Sequence, residues 1–281
     1  MGIAVSICKM LNKLFKLPLH PFNMQNEGTM TYAEWQYAKG ADTIKFYMDV
    51  TNINGMFAGK TVADIGCGAA GKTLFYADQG VAKIYGVEIL EKYRTEAENL
   101  AKRLGHADVF EFVPADAVKL PFADDSIDTI IMNDAMEHVD EPEAVLAECL
   151  RVLSPGGRLF LNFPPYYHPF GAHLSDALGM PWVHMFFSDK TLIRVYKDAV
   201  KNLPDGAERI EFRIGRRPDG DEFFTYINRM TIRRFKRILA RADVKPTYYC
   251  EVPLRKIFAP FACLPFVREM LVKMVVCVIE K

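Results

Sequence analysis

Five short apolar runs, separated by segments with helical spacing, follow one another between Gly59 and Phe163. The runs predicted as strands are Lys60–Ile65, Lys83–Val87, Ala107–Val113, Ile127–Met132 and Arg158–Phe163. Strands that alternate with helices in this way form a parallel sheet with helices on both faces, so the pattern predicts an α/β fold. We expect Asp140 and Glu143 to cap the helix that follows the fourth run.

The first run leads into a glycine-rich turn, Asp64-Ile65-Gly66-Cys67-Gly68-Ala69-Ala70-Gly71. Glycines at such a turn let a cofactor approach the backbone closely. The spacing Gly66-x-Gly68-x-x-Gly71 also fits a dinucleotide site, in which the turn cradles a pyrophosphate. Asp64 favours a different ligand, because a carboxylate beside the turn suits a positive charge such as the amino group of a methionine moiety. We expect Cys67 to be a small packing residue of the turn rather than a nucleophile.

The segment Asp64-x-Gly66-x-Gly68 resembles the first motif of class I S-adenosylmethionine-dependent methyltransferases, of the methyltransferase type 11-like group. The family usually has a third glycine at the position of Ala70, whereas here Gly71 is next to it. Further segments resemble the family in the expected order: Gly86-Val87-Glu88, Ala115-Asp116-Ala117, Ser126–Ile131, Asn133–His138 and Arg151–Gly157. One motif would be a weak signal, but several in the right order and spacing are a specific one.

This resemblance implies a Rossmann-like, doubly wound sheet of seven strands in the order 3-2-1-4-5-7-6, with the last strand antiparallel and an insert after strand five. It also implies S-adenosyl-L-methionine as the cofactor. The family uses the acid at Glu88 for the ribose hydroxyls, for which a carboxylate can accept two hydrogen bonds. It places the acid at Asp116 against the adenine amino group. The predicted cofactor-binding residues are Asp64, Gly66, Cys67, Gly68, Glu88, Asp116, Ala117 and Asn133.

The domain organisation expected from these motifs is an N-terminal helical lid segment over residues 1–58 and a methyltransferase domain over 59–281. The expected function is methyl transfer to a small-molecule acceptor, and a lipophilic acceptor is one of the expectations. Two alternatives remain open: a nicotinamide- or flavin-dependent oxidoreductase that uses the same glycine turn, and a catalytically silent protein that keeps the cofactor. Asp64 and the closing strand pair favour the methyltransferase over the oxidoreductase.

Residues 165–229 break the alternation of strands and helices, and they are rich in aromatic residues, proline, glycine and histidine. Because this insert follows the fifth strand, we expect it at the carboxyl edge of the sheet, where it would bind the acceptor. His173, His168 and His138 are the candidates for a base or an orienting group. The alternative for each single histidine is a packing role in a small core.

The composition of the chain indicates which classes of binding partner are not expected. The 35 basic and 35 acidic residues give a formal net charge of +0, so a nucleic-acid partner is not expected. The segment Asn162-Phe163-Pro164-Pro165-Tyr166 resembles the N-P-P-Y element of DNA methyltransferases, but it follows the fifth strand and contains an inserted Phe163. The six cysteines have no metal-ligand spacing, which predicts reduced thiols of a cytoplasmic protein and no metal site.

The N-terminal segment has the spacing of a basic amphipathic helix. Its apolar residues are Ile3, Ile7, Met10, Leu11, Leu14 and Phe15, and its polar residues are Ser6, Lys9, Lys13 and Lys16. A second apolar segment, 254–266, contains Phe258, Phe261 and Phe266. One interpretation is that both segments pack on their own fold. The other is peripheral membrane contact and a lipophilic acceptor.

Overall fold

The computed structural model of this chain describes residues 2–258, 260, 264 and 267–281. The α-helices are α1 (Ile3–Asn12), α2 (Pro21–Asn26), α3 (Tyr32–Ala38), α4 (Gly40–Ile44), α5 (Ile53–Phe57), α6 (Gly71–Ala77), α7 (Arg94–Leu104), α8 (Pro142–Val152), α9 (Val183–Phe186), α10 (Asp189–Val200), α11 (Gly206–Arg213), α12 (Ile232–Arg241) and α13 (Arg268–Leu271). The strands are β1 (Thr61–Ile65), β2 (Lys83–Glu88), β3 (Phe110–Pro114), β4 (Ile127–Asn133), β5 (Leu153–Phe163), β6 (Ile214–Arg216), β7 (Glu222–Phe224), β8 (Tyr248–Pro253) and β9 (Val272–Glu280). Over the described residues, each helix is too short or too polar to cross a bilayer.

The chain divides into two compact units, each built from separate stretches of sequence. The sheet unit contains Thr31–Phe163, Ile232–Val252 and Met274–Lys281. The insert unit contains Met1–Met30, Pro164–Thr231 and Pro253–Lys273. Part of the segment expected as an N-terminal lid, residues 31–58, therefore packs in the same unit as the sheet.

The sheet unit contains one seven-stranded sheet in the order β3-β2-β1-β4-β5-β9-β8, and β9 pairs antiparallel to β5. The first five strands are parallel, and buried aliphatic residues of β1 and β4 lie at the centre of the sheet. This order confirms the predicted fold. Parallel strands end at the same edge of a sheet, so the loops after β1, β2, β3 and β4 all begin at the carboxyl edge.

Two local expectations differ from the structure. Strand β5 begins at Leu153, five residues before the predicted start at Arg158, because Leu153 pairs with Ile127 ahead of an irregularity in the β4–β5 register. The predicted capping pair, Asp140 and Glu143, is wrong. Helix α8 has Glu141 at its N-cap without a side-chain cap, and Pro142 fixes the first turn, where a proline needs no amide donor.

The insert unit has its own apolar core, which Cys8 of α1 shares with α10 and the loop residues around Leu174. At its centre the buried Asp176 accepts a hydrogen bond from Arg209 Nη1 at 3.1 Å and lies 3.3 Å from Arg213 Nη2. Tyr196 donates to the same carboxylate at 2.8 Å. Buried charges of opposite sign compensate each other's loss of hydration, so this cluster ties α10 and α11 to the loop before them.

Of the second apolar segment predicted from the sequence, Phe261 and Phe266 lie outside the described residues, and so does Cys263. Phe258 ends a short 3-10 helix, Lys256–Phe258, and is partly exposed. The other five cysteines are free thiols.

Candidate functional site

The glycine-rich turn after β1 repeats a left-handed backbone conformation at every second residue. Gly66 has φ of +75°, Gly68 of +57° and Ala70 of +60°. Glycine adopts this conformation freely, whereas alanine does so at a cost of roughly 1–2 kcal/mol. A Cβ atom on Gly66 would also lie 2.9 Å from the Cβ of Ala135, in the loop after β4. Gly66 therefore allows the loops after β1 and β4 to approach each other closely.

Helix α3 explains why a glycine follows Ala70. A Cβ atom on Gly71 would lie 1.9 Å from the carbonyl oxygen of Ala33 and 2.6 Å from the amide nitrogen of Tyr37. Gly71 is thus required by the close packing of α6 against α3. The position where the family usually has its third glycine, Ala70, keeps the left-handed conformation that glycine favours.

Gln36 of α3 joins the two ends of the turn. Its Nε2 donates to the carbonyl of Cys67 at 3.2 Å, and its Oε1 accepts from the amide of Gly71 at 3.2 Å. The side chain is buried, so both bonds are shielded from water. The role of Gln36 at this turn was not predicted from the sequence. The signal for its helix was present, because Thr31 and Glu34 form a capping box at the start of α3.

Asp64 is buried near the end of β1, and its Oδ2 accepts a hydrogen bond from the Thr73 hydroxyl at 2.6 Å. Burial raises the pKa of this carboxyl to about 6, against the opposing effects of the Thr73 hydrogen bond and the charge of Lys72. A cationic ligand at this carboxylate would favour its ionised form. The site is therefore suited to an ammonium group at neutral pH.

Glu88, the last residue of β2, is held directly against the turn. Its Oε2 accepts from the amide of Gly68 at 3.0 Å, and its Oε1 accepts from the amide of Leu90 at 3.0 Å. Each carboxylate oxygen has a second lone pair, so both oxygens can also accept a hydrogen bond from a diol. The structure thus brings together Asp64, Gly66, Gly68 and Glu88 at the carboxyl edge of the sheet.

Two further residues predicted to bind the cofactor, Asp116 and Ala117, lie in the loop after β3, at the same edge of the sheet. Asp116 is exposed, and its Oδ1 accepts from the amide of Val118 at 3.1 Å, which closes a tight turn. Ala117 is buried beneath it.

Cys67 fills the space beside the central strands. A Cβ atom on Gly86 of β2 would lie 3.0 Å from the Sγ of Cys67 and 3.1 Å from Phe110. Burial raises the pKa of the Cys67 thiol well above its usual range, so the side chain is a neutral thiol at physiological pH. This environment suits a packing residue.

Asn133 ends β4 inside a buried hydrogen-bond network. Its Oδ1 accepts from the Tyr47 hydroxyl at 2.5 Å and from Asn162 Nδ2 at 2.6 Å. Its Nδ2 donates to the Tyr76 hydroxyl at 3.3 Å. The side chain therefore ties the carboxyl ends of β4 and β5 to α6 and to the 3-10 turn that contains Tyr47.

The loop after Asn133 contains an ion pair and a buried acid that the sequence analysis did not single out. Asp134 has φ of +53°, and its Oδ2 lies 3.0 Å from Lys72 Nζ. Burial and the nearby Asp134 charge raise the pKa of Glu137 well above its usual range. A carboxyl with a strongly perturbed pKa at a strand end is a candidate functional group. His138 follows it, with Nε2 3.9 Å from Glu137 Oε1.

The other two candidate histidines lie in the insert unit. His168 Nδ1 accepts a hydrogen bond from the amide of Phe170 at 3.2 Å, and burial lowers the pKa of His168 to about 4. His168 is therefore neutral at physiological pH and is a weak base. His173 is half-buried with φ of +50°, and its carbonyl accepts from Arg213 Nε at 3.4 Å.

Part of this chain, including these loops, is similar in sequence to known proteins. Residues 63–161 match the family described as methyltransferase domain. The chain is 38% identical over 116 residues to an uncharacterized methyltransferase of Mycobacterium avium, and 36% identical over 102 residues to the methyltransferase GfsG of Streptomyces halstedii. These stretches cover 41% and 36% of this chain. The chain spans less than half the length of these curated relatives, 44% and 37%.

Two solved structures show that the fold extends further than these stretches. A geranyl diphosphate methyltransferase in complex with SAM has a TM-score of 0.55 at 17% identity, over 88% of this chain and 87% of the other. The [4+2]-cyclase SpnF has a TM-score of 0.57 at 16% identity, over 99% and 96%. At these identities the similarity shows the fold alone. Because SpnF is named as a cyclase, proteins that share this fold are not all named as methyltransferases.

Proposed function

We propose that this chain transfers a methyl group from S-adenosyl-L-methionine to a small-molecule acceptor, because residues 63–161 match the methyltransferase-domain family and the turn after β1 resembles the first motif of class I methyltransferases. The observation that carries the proposal is the convergence of the glycine turn and two acids at one sheet edge, where Glu88 accepts from the amide of Gly68 at 3.0 Å. The chemistry of this donor set fits an adenosyl group joined to an amino acid.

Each residue of the site has a distinct part in holding this cofactor. The carboxylate of Asp64 would hold the ammonium group, and the two oxygens of Glu88 would accept hydrogen bonds from the ribose hydroxyls. Asp116 would accept from the adenine amino group, and Gly66 and Gly68 would let the ligand approach the backbone. When bound, the cofactor supplies a methyl group on a positively charged sulfur. The protein aligns the acceptor with that methyl group and excludes water.

A nicotinamide or flavin cofactor is the weaker alternative for two reasons. Asp64 lies within the motif where a pyrophosphate would require an uncharged or basic neighbour, and burial of this acid makes a second negative charge costly. The antiparallel closing strand β9 belongs to the methyltransferase type of sheet that the family resemblance implies. A protein that holds the cofactor without transferring its methyl group remains the second candidate, since the fold also occurs in a protein named as a cyclase.

The acceptor is proposed to bind to the insert unit, which the chain enters at Pro164, directly after the carboxyl end of β5. The balanced charge of the chain, 35 basic and 35 acidic residues, favours a small molecule over a nucleic acid. A lipophilic acceptor is preferred, because exposed apolar side chains concentrate in residues 3–19 and would bring the protein to a lipid phase.

The experiment that tests the reaction uses a cofactor labelled in its methyl group, together with polar and lipid metabolite extracts. We expect mass spectrometry to find the label in a low-molecular-weight product of the lipid extract. Label that leaves the cofactor only as methanol, through attack of water on the methyl group, would exclude transfer to the molecules present. Binding of S-adenosylhomocysteine without turnover in either extract would favour the silent cofactor-binding protein.

Calorimetry with Glu88→Gln tests the donor site separately. Loss of the charged acceptor of the ribose hydroxyls is expected to weaken S-adenosylhomocysteine binding about 10- to 100-fold. The matched control is Glu91→Gln, which removes the same charge three residues along the chain and is expected to leave affinity unchanged. Unchanged affinity in Glu88→Gln, or tighter binding of a nicotinamide dinucleotide than of S-adenosylhomocysteine, would overturn the assignment.

A further inference from the structure

Helix α1 has one side fixed in the insert unit. Cys8 is fully buried in the apolar core, and Lys9 Nζ lies 2.6 Å from Asp198 of α10. Asn12 Oδ1 accepts from the amide of Met180 at 3.0 Å. A Cβ atom on Gly179 would lie 2.9 Å from the carbonyl oxygen of Lys16, so the chain after the helix also packs closely. These contacts fix which side of α1 faces outwards.

The outward side is apolar. Ile3 is 81% exposed, Ile7 42%, Met10 59% and, two residues after the helix ends, Leu14 74%. Spacings of four and three residues place Ile3, Ile7 and Met10 within about 60° of one another around the helix axis, and Leu14 follows in the turn, where its amide donates to the carbonyl of Leu11. Cys8 points away from this group by more than about 90° by the same geometry. Among the described residues, the apolar stripe formed by Ile3, Ile7, Met10 and Leu14 is therefore exposed to solvent.

The exposed apolar surface continues into the following segment. Phe15 is 42% exposed, Leu17 43% and Leu19 89%. Among the described residues, seven of the seventeen large hydrophobic side chains that are exposed lie in residues 3–19. Single exposed apolar residues are ordinary on a protein surface, whereas a concentration of this kind marks an interaction site.

The charge of this segment indicates which partner fits. Residues 1–26 contain Lys9, Lys13 and Lys16 and no aspartate or glutamate. Lys13 and Lys16 are exposed, while Lys9 is paired with Asp198. An apolar stripe flanked by lysines is complementary to an anionic lipid surface, where the headgroups attract the lysines and the acyl region accepts the apolar side chains. A second copy of the chain would instead bring lysines of like charge together.

We propose that residues 3–19 form a docking surface for anionic lipid bilayers, with Ile3, Ile7, Met10 and Leu14 in the interface and Lys13 and Lys16 at the headgroups. This is contact with one leaflet, since α1 has only ten residues. The inference does not depend on the proposed reaction. A protein that binds the cofactor silently would have the same surface.

The test is co-sedimentation of the full chain with vesicles of phosphatidylcholine alone or with phosphatidylserine added. We expect binding that rises with the phosphatidylserine content. The triple variant Ile3→Ser, Met10→Ser, Leu14→Ser removes apolar contact without disturbing the buried side of α1, and its affinity should fall at least about tenfold. The matched control is Met48→Ser, Val50→Ser, Leu203→Ser, three side chains that are 37%, 41% and 36% exposed elsewhere in the chain. It should bind as the unmodified chain does.

A charge variant separates the two parts of the surface. Lys13→Gln with Lys16→Gln should lower affinity for anionic vesicles about tenfold or more and leave binding to phosphatidylcholine unchanged. Circular dichroism establishes that each variant is folded. No binding by the unmodified chain, or equal binding by the serine triple variant, would overturn the proposal. A dimer in light scattering that the serine triple variant converts to a monomer would assign the stripe to a second copy instead.

Discussion

The sheet unit and the insert unit place their polar groups by different means. In the sheet unit, Asp64 and Glu88 lie at or near strand ends, and main-chain amides of the neighbouring turn fix the Glu88 carboxylate. In the insert unit, the polar centre is a buried carboxylate, Asp176, shared by the side chains of Arg209 and Arg213. The first arrangement follows from the path of the backbone, whereas the second depends on side chains that meet only when distant segments pack.

This difference bears on function. Groups held at strand ends keep their positions when a loop changes, so a donor site built there can serve many acceptors. A unit whose polar centre depends on the packing of several segments can differ more between related proteins, which is the property expected of the acceptor site proposed for the insert unit. The four predictions that follow test this division, in order of decreasing expected effect.

The largest effect is expected from Gly71→Ala in the sheet unit. The new Cβ atom would lie 1.9 Å from the carbonyl oxygen of Ala33, a backbone atom that can move only if α3 moves. We expect the free energy of unfolding to fall by about 3 kcal/mol or more. Urea denaturation of the folded chain measures this change.

The control for Gly71→Ala is Gly105→Ala. Gly105, unlike Gly71, has positive φ, +78°, and no heavy atom lies within 4 Å of its Cβ position. It should lose only about 1–2 kcal/mol, the cost of the left-handed conformation. Equal losses in both variants would show that α3 does not constrain the turn.

The second prediction concerns the insert unit. His173→Asn keeps a residue that tolerates φ of +50° but removes the base. If His173 acts as a base, kcat falls roughly 10²–10⁴-fold while affinity for S-adenosylhomocysteine changes by no more than a few-fold. The control is His168→Gln, for which we expect less than a tenfold effect, because a histidine with a pKa of about 4 accepts a proton poorly at neutral pH. Full turnover in both variants would show that neither histidine acts as a base. The reaction would then depend on alignment of the acceptor and exclusion of water.

The periodicity of the sequence predicted the parallel strands for a physical reason, whereas the strand order was taken from the family resemblance and is confirmed by the structure. Apolar runs that alternate with helical spacing specify parallel strands, and the loops after such strands must meet at one edge. Asp64 and Glu88 could therefore be placed near each other although 24 residues separate them. The turn was predicted for the same reason, since its left-handed residues require glycine or tolerate alanine.

The contacts that could not be predicted from the sequence join residues that are far apart in the chain. Gln36 lies 31 residues before Cys67, and no local pattern says which strand α3 packs against. Tyr47 contacts Asn133 across 86 residues. Asp176 and Arg209 are charged residues that composition alone would place on the surface, and only the packed unit pairs them. Long-range partners of this kind require the tertiary structure.

The third prediction is a pH dependence of cofactor binding. Burial raises the pKa of Asp64 from 3.8 to about 6, so below that pH the folded protein holds a proton that an ammonium ligand must displace. Affinity for S-adenosylhomocysteine should be constant above about pH 7 and weaken up to about tenfold per unit below pH 6. Calorimetry from pH 5 to 8 measures it. Asp64→Asn should bind weakly at every pH and lose this dependence, and a slope that persists in the variant would assign the titration to another group.

The same proton has the opposite effect on folding. The unfolded chain releases it near pH 3.8, whereas the folded chain keeps it to about pH 6. The contribution of Asp64 to stability is therefore greatest below pH 3.8 and is lost as the pH rises through 6. If an ammonium ligand binds at Asp64 as proposed, its binding above pH 6 would offset that loss, and the stability of the sheet unit would then depend on the cofactor.

The smallest expected effect is stabilisation by Ala70→Gly. Ala70 has φ of +60° at the N-cap of α6, where a side chain is strained and glycine is not. Glycine is more flexible in the unfolded chain, and this partly offsets the gain, so the expected increase in the free energy of unfolding is about 1 kcal/mol. The control is Ala69→Gly at the adjacent buried alanine, which lacks positive φ and should lose about 0.5–1 kcal/mol. Urea denaturation that finds both variants destabilised would show that Ala70 is not strained. The conformation of the turn would then be fixed by its contacts with α3 and Glu88 rather than by the conformational preferences of its own residues.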